Sequence, residues 1–192
     1  AKESLGSWRT QTVYVADDKD NNLHLNDAET LTADASAASN LFNQQKIYLD
    51  AYALVSNSGG ARYPAVNDAI VNRIYNGTLF FNYSGHGSFE RLSESAILGL
   101  DEVNRFNNPN KLPLFITASC DFAPFDDPQK NSLGAAVLTG SRNGAVALLS
   151  TTRLVFAFSN RVINDNYLKI ALQPPVNGKR LTLGESVRRA KN

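Results

Sequence analysis

The sequence lacks several features that mark particular classes of protein. It has a single cysteine, so no internal disulfide can form and no disulfide framework indicates its redox compartment. No apolar run approaches the roughly 18 residues of a membrane-spanning helix, and the first ten residues do not resemble a signal peptide. Methionine is absent, even at position 1, so we expect the sequence to be a piece of a longer precursor.

The charge pattern is also unremarkable in sign and distribution. Lys and Arg number 19 and Asp and Glu 18, so the formal net charge is 19 − 18 = +1, with no basic tract. Because proteins that follow nucleic-acid phosphates carry clustered basic residues, we expect no nucleic-acid partner. A chain of 192 residues can bury an ordinary core. Without a repeat or a linker, residues 1–192 are predicted to form one domain.

Short apolar runs rich in β-branched and aromatic residues alternate with segments of helical composition. The predicted strands cover residues 12–16, 46–52, 78–83, 112–118 and 145–150. The predicted helices cover residues 27–43, 64–75, 98–107, 132–139, 154–172 and 181–191. Such alternation indicates βαβ units. We therefore predict an α/β fold whose mostly parallel sheet is covered by helices on both faces, with the remaining polar stretches, among them 56–62, as loops.

A histidine and the cysteine follow two successive predicted strands. His86 lies between Gly85 and Gly87 in NYSGHGS, and Cys120 ends the strand LPLFITAS. Functional loops of open α/β sheets follow the carboxyl ends of the strands, so neighbouring parallel strands would bring both side chains to one edge. An imidazole there can take the thiol proton and return it to a leaving amine. The pattern predicts Cys120 as nucleophile and His86 as its proton-transfer partner; a buried structural cysteine and a surface histidine are the alternatives.

The two glycines beside His86 have a predicted role as well. Glycine permits positive φ and close approach of a substrate backbone. The N–H groups of Gly87 and Cys120 are then the candidates for an oxyanion hole, a contribution of about 3 kcal/mol per donor. The second histidine, His24, lies in a polar loop and is expected to be solvated.

These segments also carry a family resemblance. An apolar strand followed by His-Gly, with a second apolar strand ending in Ala-x-Cys, is the pattern of the caspase-like cysteine peptidases. NYSGHGS together with ITASC resembles the gingipain family among them. GAVALLSTTRLVFAFSN is similar to the strand and helix after the nucleophile, especially in the sortases of the type IX secretion system of Bacteroidetes. The resemblance covers most of the chain and implies a caspase-like, three-layer α/β/α fold.

The resemblance assigns roles to matching positions. It makes Cys120 the nucleophile and His86 the general base and acid, with no cofactor required for the chemistry. An acidic residue follows an early strand in the gingipains, and VYVADD places Asp17 or Asp18 there, where it would orient the imidazole. An aspartate of a loop or helix entry is the alternative. Since the family has a preceding subdomain and extends further, 1–192 is expected to be one catalytic subdomain of a longer chain.

The resemblance also implies a substrate and a place of action. A sortase of this kind would remove the C-terminal sorting domain of an exported protein, hold the remainder on Cys120 as a thioester and pass it to an amine of surface lipopolysaccharide. Other type IX secretion components would be partners, at the cell surface or outer membrane of a Gram-negative bacterium. Two alternatives stay open: a plain gingipain-type endopeptidase, and a catalytically silent scaffold of the secretion machinery.

The acidic segment DKDNNLHLNDAE is a candidate calcium loop. Its oxygen-bearing side chains occupy positions 1, 3, 5, 9 and 12 of such a loop, namely Asp18, Asp20, Asn22, Asn26 and Glu29. Leu23 stands where an EF-hand requires glycine, so a looser site is expected, and the structural calcium of gingipains implies the same. The alternative is a solvated loop in which Asn26 or Asp27 caps the next helix.

The loop after the cysteine is the candidate specificity pocket. Asp121 and Phe122 would line it, with an aromatic wall and a carboxylate for a basic substrate side chain. Asp126 and Asp127 fit better as turn residues before the helix that begins near Ser132.

Overall fold

The computed structural model describes residues 2–141 and 143–192. The strands are β1 (Gln11–Ala16), β2 (Asn43–Tyr48), β3 (Val55–Asn57), β4 (Gly60–Arg62), β5 (Phe80–Ser84), β6 (Leu114–Ala118) and β7 (Ala147–Leu149). Five of them form a sheet in the order β2-β1-β5-β6-β7, in which every neighbouring pair is parallel. Strands β3 and β4 pair with each other as a separate antiparallel hairpin.

Helices connect the parallel strands and cover both faces of the sheet. They are α1 (Leu23–Ala38), α2 (Pro64–Asn76), α3 (Leu100–Asn104), α4 (Leu133–Thr139), α5 (Ala157–Ala171) and α6 (Leu183–Ala190), with 3-10 turns at Lys2–Ser4, Ser7–Thr10 and Leu49–Ala51. Within the described residues, no helix has the length and apolar character needed to cross a membrane.

The core has two halves, one on each face of the sheet. Val13 and Val15 of β1 pack in a cluster with residues of α2, α3 and α4, while Tyr14 between them packs with residues of α1, α5 and α6. Successive strand residues point to opposite faces, so burial of both faces requires apolar residues at consecutive positions. This explains the continuous apolar runs in the sequence and confirms the predicted three-layer α/β/α fold.

Several element boundaries differ from the sequence predictions, and the second strand covers Asn43–Tyr48, followed by a 3-10 turn, where residues 46–52 were predicted. Helix α1 begins at Leu23, four residues before the predicted start, because Asp20, Asn21 and Asn22 take left-handed φ values of 61°, 53° and 64° and turn the chain directly into the helix. The prediction of an ordinary loop over 56–62 was wrong, since β3 and β4 pair there. The short sequences VSN and GAR of these two strands carry no apolar alternation that could have indicated strands.

The sheet register determines which strand ends meet. Ser84 at the end of β5 pairs with Ala118 at the end of β6, and Gly85 N–H continues the ladder by donating to the Ala118 carbonyl over 3.2 Å. On the other side, Asp17 N–H donates to the Ser84 carbonyl over 3.0 Å. The carboxyl ends of β1, β5 and β6 therefore lie side by side.

Candidate active site

His86 and Cys120 leave the sheet at the same edge. Each lies two residues beyond the last registered pair of β5 and β6, Ser84 and Ala118. Cys120 is partly buried, and its Sγ lies 3.6 Å from the carbonyl oxygen of Val155, to which the thiol donates. Among the described residues, no hydrogen bond joins Cys120 to His86. The predicted proton transfer would require the thiol to leave Val155 first; such loose geometry is common in active sites without substrate.

A carboxylate holds the imidazole of His86. Nε2 of His86 lies 2.7 Å from Oδ2 of Asp20, with the two side chains 44% and 48% exposed. The hydrogen bond from His86 lowers the pKa of Asp20, which keeps it ionised as an acceptor. If Nε2–H donates to Asp20, the lone pair of the neutral ring lies on Nδ1, which is then free to accept a proton. At this exposure the pair contributes little to stability, so its effect is on ring orientation and tautomer.

Asp17 performs a different task from the one predicted. It is 1% exposed, and its Oδ2 accepts from the backbone N–H of His86 over 3.3 Å and lies 3.1 Å from the Tyr83 hydroxyl. Its Oδ1 accepts from the Ser93 hydroxyl over 3.2 Å and from Asp18 N–H over 3.0 Å. Burial raises the pKa of Asp17. The carboxylate therefore fixes the backbone of the histidine loop and does not contact the imidazole.

Asp18, the other predicted acid, is also engaged elsewhere. Its Oδ2 accepts from the Tyr63 hydroxyl over 2.5 Å. In the structure the carboxylate that contacts the imidazole is therefore that of Asp20, and neither Asp17 nor Asp18 hydrogen-bonds to the ring. Asp20 follows two other aspartates in the same loop, and its carboxylate reaches His86 from the left-handed turn that Asp20 forms with Asn21 and Asn22.

His24 is not solvated, contrary to the prediction. Because α1 begins at Leu23, His24 lies in its first turn and is 5% exposed. Its ring meets that of His86 edge to face, with centroids 5.2 Å apart, and its Nε2 lies 3.3 Å from Asp20 Oδ2. The approach lacks hydrogen-bond geometry, so Nε2 is buried without a hydrogen-bond partner among the described residues.

The glycines beside His86 are required by close packing. A Cβ at Gly85 would lie 2.6 Å from Asp17 Cβ, and one at Gly87 would lie 2.9 Å from both side-chain atoms of Ser119. Neither glycine has the positive φ that the sequence analysis invoked. Within the described part of the chain, the N–H groups of Gly87 and Cys120 donate to no other protein group. Their assignment to an oxyanion hole stays a prediction.

The loop after Cys120 differs from the predicted pocket. Phe122 is 0% exposed and belongs to the main core cluster, so it cannot form a wall that a substrate touches. Asp121 has a left-handed φ of 47°, and its carboxylate lies 3.3 Å from the Lys130 ammonium. The aromatic side chain available to a ligand in this loop is Phe125, which is 85% exposed.

A second loop near Cys120 was not singled out as a candidate substrate contact from the sequence. Leu154 and Phe156 flank Val155, whose carbonyl contacts Cys120, and each is 84% exposed. Arg153 in the same loop makes a two-pronged ion pair with Asp126, over 2.9 and 2.7 Å. The ion pair joins this loop to the loop that follows Cys120. Because Leu154 and Phe156 flank the residue that contacts the thiol, they form an exposed apolar surface beside it. The sequence gave only a weak indication of this surface. The three consecutive apolar residues LVF fit equally well in the helix predicted from residue 154.

The candidate calcium ligands do not converge. Asp18 bonds to Tyr63 and Asp20 to His86, while Glu29 on α1 pairs with Lys46 of β2 over 2.7 Å. Asn22 lies at the left-handed turn before α1 and provides no side-chain cap. The helix begins inside the segment and turns Glu29 towards Lys46 of β2, away from a ligand set with Asp18 and Asp20, and structural calcium stays a prediction. The described residues do contain one group of close titratable ligands, formed by Asp20, His24 and His86.

Known structures share this architecture. Gingipain R (RgpB), described as an Arg-specific cysteine proteinase, aligns with a TM-score of 0.77 at 16% identity, over 97% of this chain and 42% of its own. The complex of the Porphyromonas gingivalis RgpB pro- and mature domains aligns with a TM-score of 0.76 at 17% identity, over 96% and 43%. A structure described as a protease aligns with a TM-score of 0.57 at 14% identity, over 86% and 34%.

At these identities the structural likeness establishes the fold, and the chain spans about two fifths of the length of the two gingipain structures. No curated protein sequence gave a significant match. The sequence model of peptidase family C25 matches residues 1–192, the whole of the chain. The fold agrees with that match, and the histidine and cysteine lie at one edge of its sheet. The chain therefore belongs to peptidase family C25.

Proposed function

We propose that this chain is the catalytic subdomain of a cysteine endopeptidase in which Cys120 is the nucleophile, His86 the general base and acid, and Asp20 the residue that orients His86. The observation that carries the proposal is the 2.7 Å contact between Asp20 and His86 at the sheet edge from which Cys120 also emerges. This contact leaves Nδ1 of His86 as the proton acceptor. Family membership supports the same chemistry.

The reaction begins when the thiol rotates from the Val155 carbonyl towards His86. Nδ1 takes the proton, Sγ attacks the scissile carbonyl, and the N–H groups of Gly87 and Cys120 stabilise the oxyanion. The C–N bond then breaks as the imidazolium protonates the leaving amine. The product is a thioester on Cys120, and Asp20 stabilises the transient imidazolium by charge.

The fate of the thioester separates two versions of the proposal. Attack by water completes endopeptidase action of gingipain type, and attack by an amine completes sortase-like transfer of an exported protein from its C-terminal sorting domain. The likeness of residues 144–160 to type IX secretion sortases favours transfer. In the transfer version of the proposal, the enzyme acts with secretion partners on an exported protein at the outer surface of a Gram-negative cell. The exposed Leu154 and Phe156 beside the nucleophile favour apolar substrate residues there.

The silent-scaffold alternative has one observation in its favour, which is the bond from Cys120 to Val155 in place of His86. The rate of Cys120 alkylation by iodoacetamide across a broad pH range distinguishes the two. For the peptidase, we expect fast alkylation near neutral pH that slows in His86→Ala and in Asp20→Asn. Asp18→Asn is the matched control, because this carboxylate contacts Tyr63 and not the imidazole. An ordinary thiol profile that none of these variants changes would support the scaffold.

The two fates are distinguished by product analysis. A peptide substrate is incubated with the enzyme, with and without an amine acceptor, and the masses of the products are measured by mass spectrometry. An adduct of the acyl fragment with the amine identifies transfer; the free carboxylate alone, at saturating amine, identifies hydrolysis.

A further inference from the structure

We propose that Asp20, His24 and His86 form a binding site for a transition-metal ion of the Zn²⁺ class, and that occupancy of this site switches off proton transfer by His86. One ligand atom from each of the three residues lies within 4.8 Å of the other two. Oδ2 of Asp20 lies between the two imidazoles, 2.7 Å from Nε2 of His86 and 3.3 Å from Nε2 of His24. Small rotations of the side chains would enclose an ion.

His24 provides the strongest evidence for a ligand. Its side chain is 6% exposed, and its Nε2 is directed into the cluster without a hydrogen-bond partner among the described residues. A buried polar atom without a partner costs about 1–3 kcal/mol, and coordination to a metal ion would remove that cost. The edge-to-face packing against His86 holds both rings in place, so little reorganisation is needed.

The donor set selects the class of ion. Two imidazole nitrogens and one carboxylate oxygen suit Zn²⁺, and three protein ligands leave a fourth tetrahedral position for water or a substrate group. Calcium prefers six to eight oxygen ligands, which this cluster cannot supply. Asp20 and His86 are about half exposed, so an ion can enter from solvent.

The consequence for His86 follows from its tautomers. A neutral imidazole has one nitrogen lone pair, and without metal the bond from Nε2–H to Asp20 leaves that lone pair on Nδ1. A metal ion bound to Nε2 takes the lone pair there, so the proton moves to Nδ1. The nitrogen that serves as base in the proposed reaction then becomes a donor. This inhibitory effect rests on the proposed function, whereas the metal site itself does not.

Metal binding can be measured apart from catalysis. Zn²⁺ is titrated calorimetrically into Cys120→Ala, which removes the only thiol, and into the same protein with His24→Ala, Asp20→Asn or Glu29→Gln. We expect one ion per chain, with affinity reduced more than tenfold by His24→Ala and by Asp20→Asn. Glu29→Gln is the matched control on α1, where Glu29 pairs with Lys46, and should leave the affinity unchanged. Excess Ca²⁺ should not compete.

Visible absorption of bound Co²⁺ reports the coordination independently. Because His24 is buried, its substitution could unfold the protein, so a melting curve is measured for each variant to separate loss of the site from loss of the fold. Asp20 is half exposed, and Asp20→Asn therefore tests the site without disturbing the core. Absence of binding in Cys120→Ala, or binding that neither ligand substitution weakens, would overturn the site.

If the chain cleaves peptides, Zn²⁺ should inhibit it, and His24→Ala should need more than tenfold higher Zn²⁺ for equal inhibition. Cleavage unaffected by bound Zn²⁺ would overturn the inhibitory role, and absence of cleavage would count against the proposed function alone.

Discussion

Nε2 of His86 lies 2.7 Å from Oδ2 of Asp20, whereas Asp17 holds the backbone N–H of the same histidine over 3.3 Å. Two carboxylates three residues apart thus act on different parts of one residue. The exposed aspartate orients the ring, and the buried one positions the loop that carries it. Substitution of each should therefore affect a different property.

Loss of the Asp20 carboxylate should reduce catalysis without unfolding the protein. Asp20→Asn keeps the side-chain size but removes the charge that stabilises the imidazolium, and we expect kcat to fall by roughly a hundredfold or more. The melting temperature should change little, because the pair is about half exposed. Peptide turnover and thermal melts measure the two effects. Asp34→Asn is the control, since Asp34 pairs with Lys169 away from the site; equal losses in both variants would contradict the role of Asp20.

Loss of the Asp17 carboxylate should destabilise the fold. Asp17→Ala leaves the Ser93 hydroxyl and the N–H groups of His86 and Asp18 without their acceptor in a buried site. We expect the free energy of unfolding to drop by roughly 2–3 kcal/mol, as for other buried groups that lose a partner. Chemical denaturation measures it, with Asp20→Ala as the comparison. A smaller loss for Asp17→Ala than for Asp20→Ala would refute the division of roles.

A methyl group at position 87 should disturb the site. In Gly87→Ala the new Cβ would lie 2.9 Å from the Ser119 side chain, next to Cys120 in the sequence. We expect a destabilisation of about 1–3 kcal/mol, typical of overpacking, together with lower turnover. Gly184→Ala is the matched control, because a Cβ there meets nothing within 4 Å and the residue lies in α6. That variant should be neutral or up to about 1 kcal/mol more stable.

The two phenylalanines after the nucleophile should behave oppositely. Phe122→Ala removes a fully buried ring from the core and should cost about 3–5 kcal/mol of unfolding free energy. Phe125→Ala removes a ring that is 85% exposed and should cost less than about 0.5 kcal/mol. If Phe125 contacts substrate, its loss raises KM. A stable Phe122→Ala variant with raised KM would instead restore the predicted pocket wall.

Much of the architecture could be predicted because its cause is local in the sequence. Apolar runs such as LPLFITA and the helical segments between them indicate a parallel sheet buried on both faces, and the structure has that sheet. His86 and Cys120 could be singled out because each directly follows a strand, and strand ends of a parallel sheet meet at one edge. Both inferences need only the order of residues along the chain.

Contacts that depend on the path of a loop could not be predicted. Asp20 and His86 are 66 residues apart, and the three consecutive left-handed residues Asp20, Asn21 and Asn22 determine where that carboxylate points. Asp and Asn tolerate this conformation without requiring it, so the same sequence fits other turns. The early start of α1 in turn buries His24 against His86. The sequence by itself thus determined the sheet and the two residues, His86 and Cys120, at its edge. The tertiary structure decided which carboxylate and which second imidazole surround His86. Those contacts depend on backbone angles that the residue types allow but do not dictate.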